Sequence, residues 1–168
     1  MINLWDYLKK KEFWYKNMVY EIVELEEKQI VGVSERVRKD ETEVEKIKKL
    51  WEKFVEETQN IREWVSLATY SVYFNYKNDG IFEYSTLIGY EVGNGTSPEY
   101  HLSMVVIPKG KYAKFTLKGN PKVEISKFWE NFRENFEDKL NRSFEYDFEE
   151  HIPFQEKNEI INIYISIK

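Results

Sequence analysis

Apolar and polar residues alternate strictly at the end of the chain, within residues 144–168. The isoleucines of the last run occupy every second position, namely Ile161, Ile163, Ile165 and Ile167. Because successive side chains of a strand point to opposite faces, this spacing predicts a strand with one apolar face. A similar run at residues 144–149 predicts a neighbouring strand. If the isoleucine face is the core, we expect the other face to carry Tyr164 and a carboxylate, a combination that suits an organic cation.

Apolar residues recur at helical spacing in two stretches, residues 42–58 and the stretch that begins at Asn120. Thr42 and Glu45 have the spacing of a capping box, in which the two side chains satisfy backbone N–H groups at the helix start. Asn120 followed by Pro121 is typical of an N-cap and the first helical position. The predicted buried stripes are Val44, Ile47, Leu50, Trp51, Phe54 and Val55 in the first helix and Ile125, Phe128, Trp129, Phe132 and Phe136 in the second.

Turn residues separate the other strand-like runs and predict three further strand pairs. The pairs are residues 18–37 with a turn at 26–28, residues 68–76 and 82–92 with a turn at 78–80, and residues 100–107 and 111–118 with a turn at 108–110. The second turn, Asn78-Asp79-Gly80, has the composition that tight hairpins prefer. Gly32 lies inside a predicted strand, which indicates a bulge or a close backbone approach.

The order strand, strand, helix, strand, strand occurs twice, in halves of about residues 18–95 and 98–168. We therefore predict an α+β fold of two pseudo-symmetric halves. Its antiparallel curved sheet would carry one helix per half and a central ligand cleft where the halves meet. Residues 1–17 have the apolar stripe of an amphipathic helix. We expect that helix to dock on the domain or on a partner chain, so a homodimer is one arrangement.

Composition excludes several classes of function. The chain has no cysteine and two histidines, which excludes thiol chemistry, disfavours a metal site and gives no reason to expect a cofactor. A net charge of −5 argues against nucleic acid as a partner. The chain has no apolar run of about 18–20 residues and no signal-peptide centre, so we expect a cytoplasmic protein without a membrane partner. Aromatic residues make up 17% of the chain, enough for a core and for the walls of a cavity.

Seven stretches lie in an order and spacing that is typical of one family. They are YEIVELEEKQIVGVSERV (20–37), KLWEKF (49–54), EYSTLIGYEV (83–92), IPKGKYAKFTLKG (107–119), KFWENF (127–132), DFEEH (147–151) and INIYISIK (161–168). Together they resemble the GyrI-like domains, the effector-binding domains of bacterial transcription activators. The resemblance implies a duplicated strand-helix-strand-strand fold and, as in the multidrug-binding members, an aromatic-walled cleft whose buried glutamate binds large organic cations. Only 17 residues precede the GyrI-like ligand-binding domain that the resemblance predicts over residues 18–168, so we expect a stand-alone member without a DNA-binding region.

The resemblance also implies which residues form the site. The family's Asp-Phe-Glu-x-Tyr pattern falls on residues 147–151, with Glu149 as the glutamate and His151 where the family has tyrosine. A buried carboxylate is costly without a partner, and a cationic ligand would offset part of that cost. The candidates for the aromatic walls are Trp64, Tyr70, Tyr84, Tyr112, Trp129 and Tyr164. For each of them, ordinary core packing is the alternative.

These residues favour the binding of hydrophobic, often cationic aromatic molecules over catalysis. A hydrolase of small electrophilic compounds is one alternative, with Glu149 as general base beside a pocket tyrosine. The sequence does not separate the two, because the same residues serve both. A protein-interaction role such as gyrase modulation is the third interpretation, and it would require an acidic face.

Overall fold

The computed structural model describes residues 3–6, 9, 18–155 and 158–168, with residues 154 and 155 described by their backbone alone. The assigned elements of this part of the chain are β1 (Tyr20–Leu25), β2 (Lys28–Arg38), α1 (Glu43–Glu57), β3 (Trp64–Asn78), β4 (Phe82–Val92), β5 (Ser103–Ile107), β6 (Gly110–Gly119), α2 (Pro121–Asn135), β7 (Tyr146–Gln155) and β8 (Asn158–Ser166). Of the helix expected over residues 1–17, residues 4–6 and 9 are helical, and most of the rest lies outside the described residues.

The eight strands form one antiparallel sheet in the order β1-β6-β8-β7-β3-β4-β2-β5. The strands β1, β2, β3 and β4 of the first half correspond to β5, β6, β7 and β8 of the second. If every strand is replaced by its counterpart, the order read from one edge becomes the order read from the other edge. The pseudo-two-fold axis therefore passes between β7 and β3, which pair over residues 146–151 and 69–74. The predicted α+β fold of two related halves, one curved sheet and one helix per half is confirmed.

Two of the predicted strand pairs are wrong. β1 pairs with β6 and not with β2, and β5 pairs with β2 and not with β6. Each half therefore gives its first strand to the edge of the other half. The exchange places Val23 and Leu25 of β1 against buried residues such as Tyr112, and this burial of apolar surface favours it over a local hairpin.

The helices pack on one face of the sheet, each over its own half. Leu50 and Phe54 of α1 pack against Val33 and Ile88 of β2 and β4. In the second half, Phe128, Phe132 and Phe136 of α2 pack against the isoleucines of β8 and against β6. A third cluster lies on the opposite face of the curved sheet; it includes Ile30, Tyr70, Val72, Ile107, Tyr112, Phe148 and Tyr164. The predicted isoleucine face is thus the core under α2.

The start of α1 differs from the predicted capping box. Thr42 makes no side-chain cap, because its backbone is already helical whereas an N-cap residue has a non-helical backbone. Its hydroxyl donates a hydrogen bond to Asp40 (2.6 Å). The predicted stripe is also too wide, since Val44 and Val55 are 78% and 61% exposed. At α2 the prediction is confirmed: Asn120 accepts a hydrogen bond from the Lys122 backbone N–H.

Gly32 marks a close backbone approach, one of its two predicted meanings. It lies opposite Gly89 in the β2–β4 ladder, and the register runs through this pair without a shift. A Cβ atom at Gly32 would overlap the Ile88 carbonyl oxygen, so glycine lets the two strands come together here.

Candidate ligand site between the two helices

The two helices lie on either side of the centre of the sheet. α1 packs on β2 and β4, and α2 packs on β6 and β8. Because β7 and β3 lie between these strands, their helix-side residues form the floor of a cleft. The floor of this inter-helix cleft consists of Thr69, Ser71, Tyr73, Asp147, Glu149 and His151. Its walls include Trp51 of α1 and Trp129 of α2.

Glu149 lies at the centre of the floor and is 2% exposed. Its Oε1 accepts hydrogen bonds from the Tyr73 hydroxyl (2.8 Å) and from Nε1 of Trp129 (3.0 Å). Its Oε2 lies 3.0 Å from Nε2 of His151. The carboxylate therefore has partners on β3, α2 and its own strand, and these hydrogen bonds offset much of the cost of burying it.

His151 connects Glu149 to a second carboxylate. Its Nδ1 lies 2.8 Å from Oε2 of Glu159 on β8, and its ring forms a T-shaped contact with that of Trp51, with the ring centres 5.6 Å apart. Burial opposes protonation of the imidazole, but the hydrogen bonds to Glu149 and Glu159 outweigh it and raise the pKa of His151 to about 9. At neutral pH the imidazole is therefore a cation that donates to both carboxylates.

Asp147, two residues before Glu149 on the same face, is paired with Arg142. The carboxylate is fully buried, and its Oδ2 accepts hydrogen bonds from Nη2 of Arg142 and from the Tyr76 hydroxyl, both at 2.6 Å. The guanidinium carbon lies 4.3 Å from the centre of the Phe144 ring and 6.0 Å from that of Trp129. An organic cation of the protein itself thus lies beside the cleft among aromatic rings and a carboxylate.

Tyrosines extend the aromatic lining from Trp129 towards α1. The Tyr73 ring lies 5.9 Å from Trp129 and 5.7 Å from Tyr84, centre to centre. The Tyr84 hydroxyl donates to Glu43 in the first turn of α1 (2.8 Å). Burial, and then the charge of Glu149, raises the pKa of Tyr73 well above its usual value. The Tyr73 hydroxyl is therefore a neutral donor at physiological pH, suited to holding a carboxylate.

The seven predicted site residues fall into three groups. On the helix side of the sheet lie Glu149, Trp129 and Tyr84. In the core of the opposite face lie Tyr70, Tyr112 and Tyr164. Trp64, at the start of β3, is 44% exposed. The structure thus brings Glu149 and Trp129 into contact, while the part that each of the seven plays in binding stays a prediction.

Glu149 and Tyr164 lie on opposite sides of the sheet and cannot line one pocket. Glu149 is in register with Ile163, so it shares the isoleucine face. The carboxylate on the Tyr164 face is Glu150, whose Oε2 lies 2.9 Å from the Tyr70 hydroxyl. The carboxylate expected beside Tyr164 is therefore that of Glu150, and the family pattern selects its neighbour in sequence, Glu149.

Several residues of the cleft were not among the predicted site residues, including Trp51, Tyr73 and His151, which contact Glu149 or its partners. Trp51 and Trp129 occupy the same place in the stretches KLWEKF and KFWENF, so the repeat itself was a signal for Trp51. His151 follows Glu149 by two positions, which places both on one face of a strand. Nothing in the local sequence singles out Tyr73, because its position depends on the β3–β7 register.

The cleft is closed, since His151 is only 5% exposed and Glu149 less. A ligand at Glu149 therefore requires the tryptophan walls of the cleft to move apart.

A surface depression of about 480 Å³ lies elsewhere, at the end of β3, and is lined by Arg36, Asn75, Tyr76, Lys77 and Ser85. Within the described ranges, no group of histidines and carboxylates is arranged to hold a metal ion. Neither α1 nor α2, the helices assigned there, has the length and apolar character that a membrane crossing requires.

Two halves with exchanged edge strands, one helix each and a cleft at the pseudo-two-fold axis define a GyrI-like effector-binding domain. The chain belongs to the family of integron-associated effector binding proteins (Cass2), whose model matches residues 21–167. Effector binding, and with it the binding of small molecules, is therefore its class of function. A search of curated proteins found no match.

Solved structures of low sequence identity share this fold. The integron cassette protein VCH_CASS2 of Vibrio cholerae is 21% identical with a TM-score of 0.67, over 90% of this chain and 99% of that one. A putative transcription regulation protein of Staphylococcus aureus MU50 is 17% identical with a TM-score of 0.68, over 90% and 99%. SAV2435, solved bound to tetraphenylphosphonium, is 18% identical with a TM-score of 0.69, over 90% and 94%.

Proposed function

We propose that the protein binds hydrophobic aromatic organic cations in the inter-helix cleft, with Glu149 as the opposite charge. The observation that carries the proposal is a carboxylate 2% exposed, held by a tyrosine and a tryptophan at the pseudo-two-fold axis. The effector-binding family supports a small-molecule ligand. The structural neighbour SAV2435 was solved with such a cation, tetraphenylphosphonium.

Binding would follow from two physical terms. Aromatic rings of the ligand would bury apolar surface against Trp51, Tyr73 and Trp129, at about 25 cal/mol for each Å² removed from water. The positive charge would meet Glu149 in water-poor surroundings, where the attraction is stronger than at the surface. Since neither term requires directed hydrogen bonds from the ligand, we expect the cleft to accept cations of several shapes.

Access to Glu149 requires Trp51 and Trp129 to separate. The two residues lie on different helices, which pack on different halves of the sheet. A displacement of either helix would therefore widen the cleft while the strand ladder of the floor stays paired. Rearrangements of loops or domains on binding occur in a substantial minority of protein complexes.

A titration with tetraphenylphosphonium, followed by tryptophan fluorescence, tests the proposal. We expect roughly micromolar binding by the wild type and a loss of at least about tenfold, about 1.4 kcal/mol, in Glu149→Gln. The matched control is Glu150→Gln, the next residue on the same strand, whose side chain bonds Tyr70 and Asn162 on the opposite face. Its affinity should stay within about threefold of the wild type, well under 1.4 kcal/mol. Equal losses in both variants, or none in either, would contradict the assignment of Glu149.

Binding is favoured over hydrolysis by the state of Glu149, the residue that a hydrolase would use as general base. A hydrolase would have to release Glu149 from its three partners before the carboxylate could activate water. We therefore expect the bound cation to be recovered chemically unchanged after prolonged incubation, which mass spectrometry would check.

A further inference from the structure

Both carboxylates that β7 holds buried in the cleft floor are already paired with cations of the protein itself. Asp147 is paired with Arg142, and Glu149 is paired with His151. The two cations differ in one property. A guanidinium keeps its charge at every physiological pH, whereas an imidazolium can release its proton. Of these two pairings, only the one at Glu149 can therefore be broken by the release of a proton from its cation, His151.

We propose that His151 is a tethered cation that competes with the ligand for Glu149, so that each organic cation bound there releases one proton from His151. The inference rests on the proposed cation site and deepens it, because it makes His151 a residue that determines specificity. The competition follows from position: Nε2 of His151 lies 3.0 Å from the same carboxylate that the ligand would use.

The contacts of His151 show why a second cation would expel the proton. With both nitrogens protonated, the ring donates to Glu149 and to Glu159, and the three groups together carry one negative charge. A cation arriving at Glu149 would lie beside the imidazolium in a site where water screens little. If His151 loses the proton on Nε2, it still donates from Nδ1 to Glu159, and the like charge is gone.

The charge and the proton both balance in this exchange. The site carries one negative charge before binding, and carries none afterwards if the proton stays on His151. When the proton leaves, one positive charge enters and one departs, so the buried charge is unchanged. The proton that leaves is the one on Nε2, which faces Glu149, and it passes through the opened cleft to water or buffer. The proton on Nδ1 stays in its hydrogen bond to Glu159.

The carboxylates of Glu149 and Glu159 are the charges that control the protonation of His151. Among the described residues, Glu149 lies on its own strand and Glu159 on β8, and both raise its pKa. The groups facing it from the other elements are uncharged: the Trp51 ring of α1 and Thr69, its partner on β3. The pKa of about 9 agrees with the geometry.

The exchange makes cation binding dependent on pH in a defined direction. Below a pKa of about 9, every unit of pH increase should raise cation affinity about tenfold, because a proton is a product of binding. An uncharged aromatic compound does not compete for Glu149, so its affinity should not change with pH. The cleft would then favour neutral ligands in acid and cations at alkaline pH.

Isothermal titration calorimetry with tetraphenylphosphonium counts the protons. The titration is run at pH 7 in phosphate and in Tris, buffers whose heats of ionisation differ, and it needs no variant of the protein. We expect about one proton released per cation by the wild type, since the His151 pKa of about 9 lies above this pH. Its Kd should fall about tenfold per pH unit between about pH 6 and 8.5.

Two histidine variants complete the experiment. His151→Gln should release no proton, lose the pH dependence and bind the cation up to about a hundredfold more tightly at pH 7, two units below the pKa of about 9. The matched control is His101→Gln, because His101 is the other histidine of the chain and lies at the surface beside Glu99. It should behave like the wild type.

The outcomes separate the two proposals. If the wild type binds tetraphenylphosphonium without releasing a proton, the role of His151 is overturned and the cation site stands. If neither the wild type at about pH 9, where about half of His151 has lost its proton, nor folded His151→Gln binds it, the cation site itself is overturned, and the role of His151 with it. Circular dichroism checks the folding of each variant.

Discussion

At the scale of single residues, the side of the sheet on which a carboxylate lies decides what it can do. Glu149 and Glu150 are neighbours in sequence, yet one lies under the helices and the other in the opposite core. The alternation of residues 144–149 predicts two faces but does not say which face the helices cover. That depends on the register with β8, which pairs Glu149 with Ile163. The family pattern selected Glu149, and alternation alone favoured the Tyr164 face.

His151 should make the stability of the fold depend on pH. Its pKa is raised from 6.5 to about 9 by its two carboxylate partners against the effect of burial. A raised pKa in the folded state stabilises the protein fully below about pH 6.5, and this contribution is lost as the pH rises through about 9. We expect the free energy of unfolding to fall by on the order of 3 kcal/mol over this interval.

Urea denaturation at a series of pH values measures this dependence. His151→Gln should flatten the profile, while His101→Gln should leave it unchanged. A wild-type profile no steeper than that of His151→Gln would show that the imidazole does not carry a stabilising charge in the folded protein.

At the scale of elements, periodicity located the helices and strands but not all of their boundaries and partners. Both ends of the first helix and the start of the second were predicted within one or two residues, because apolar spacing and N-terminal residues act locally. The capping box failed because the backbone of Thr42 is already helical, so its side chain does not lie in the N-cap position. The strand pairs failed where the halves exchange β1 and β5, since this exchange depends on contacts distant in sequence.

The two helix starts should respond differently to the loss of their first polar side chain. Asn120→Ala should destabilise the protein by about 1 kcal/mol, because its side chain accepts from the Lys122 N–H. Thr42→Ala should cost less than about 0.5 kcal/mol, because Thr42 forms no side-chain cap. Chemical denaturation of both variants makes the comparison. A larger loss in Thr42→Ala would contradict the hydrogen bonds described at α1.

At the scale of the whole molecule, the exchanged edge strands make the two halves depend on each other. β1 completes the sheet of the second half and β5 that of the first, and the halves also pair through β3 and β7. The repeated order of elements could be predicted from the sequence, and with it the central position of a cleft. The closed state of the cleft could not, because it arises from contacts between side chains of both halves, such as Trp51 with His151.

This dependence predicts one cooperative unfolding transition. Far-ultraviolet circular dichroism follows the whole backbone, and fluorescence follows the tryptophans, of which Trp51 and Trp129 lie on the helices of different halves. The two signals should change at the same urea concentration, as expected when no intermediate is populated. Two separate transitions would mean that one half can unfold while the other persists.

The most direct test of the cation site is a crystal structure of the protein with tetraphenylphosphonium. The account predicts the ligand between α1 and α2, with its phosphorus within about 6 Å of the Trp51 or Trp129 ring and facing Glu149. It also predicts that the contact between Nε2 of His151 and Glu149 is broken while that to Glu159 remains. A ligand bound instead beside Tyr164 and Glu150 on the opposite face, or in the depression at the end of β3, would contradict it.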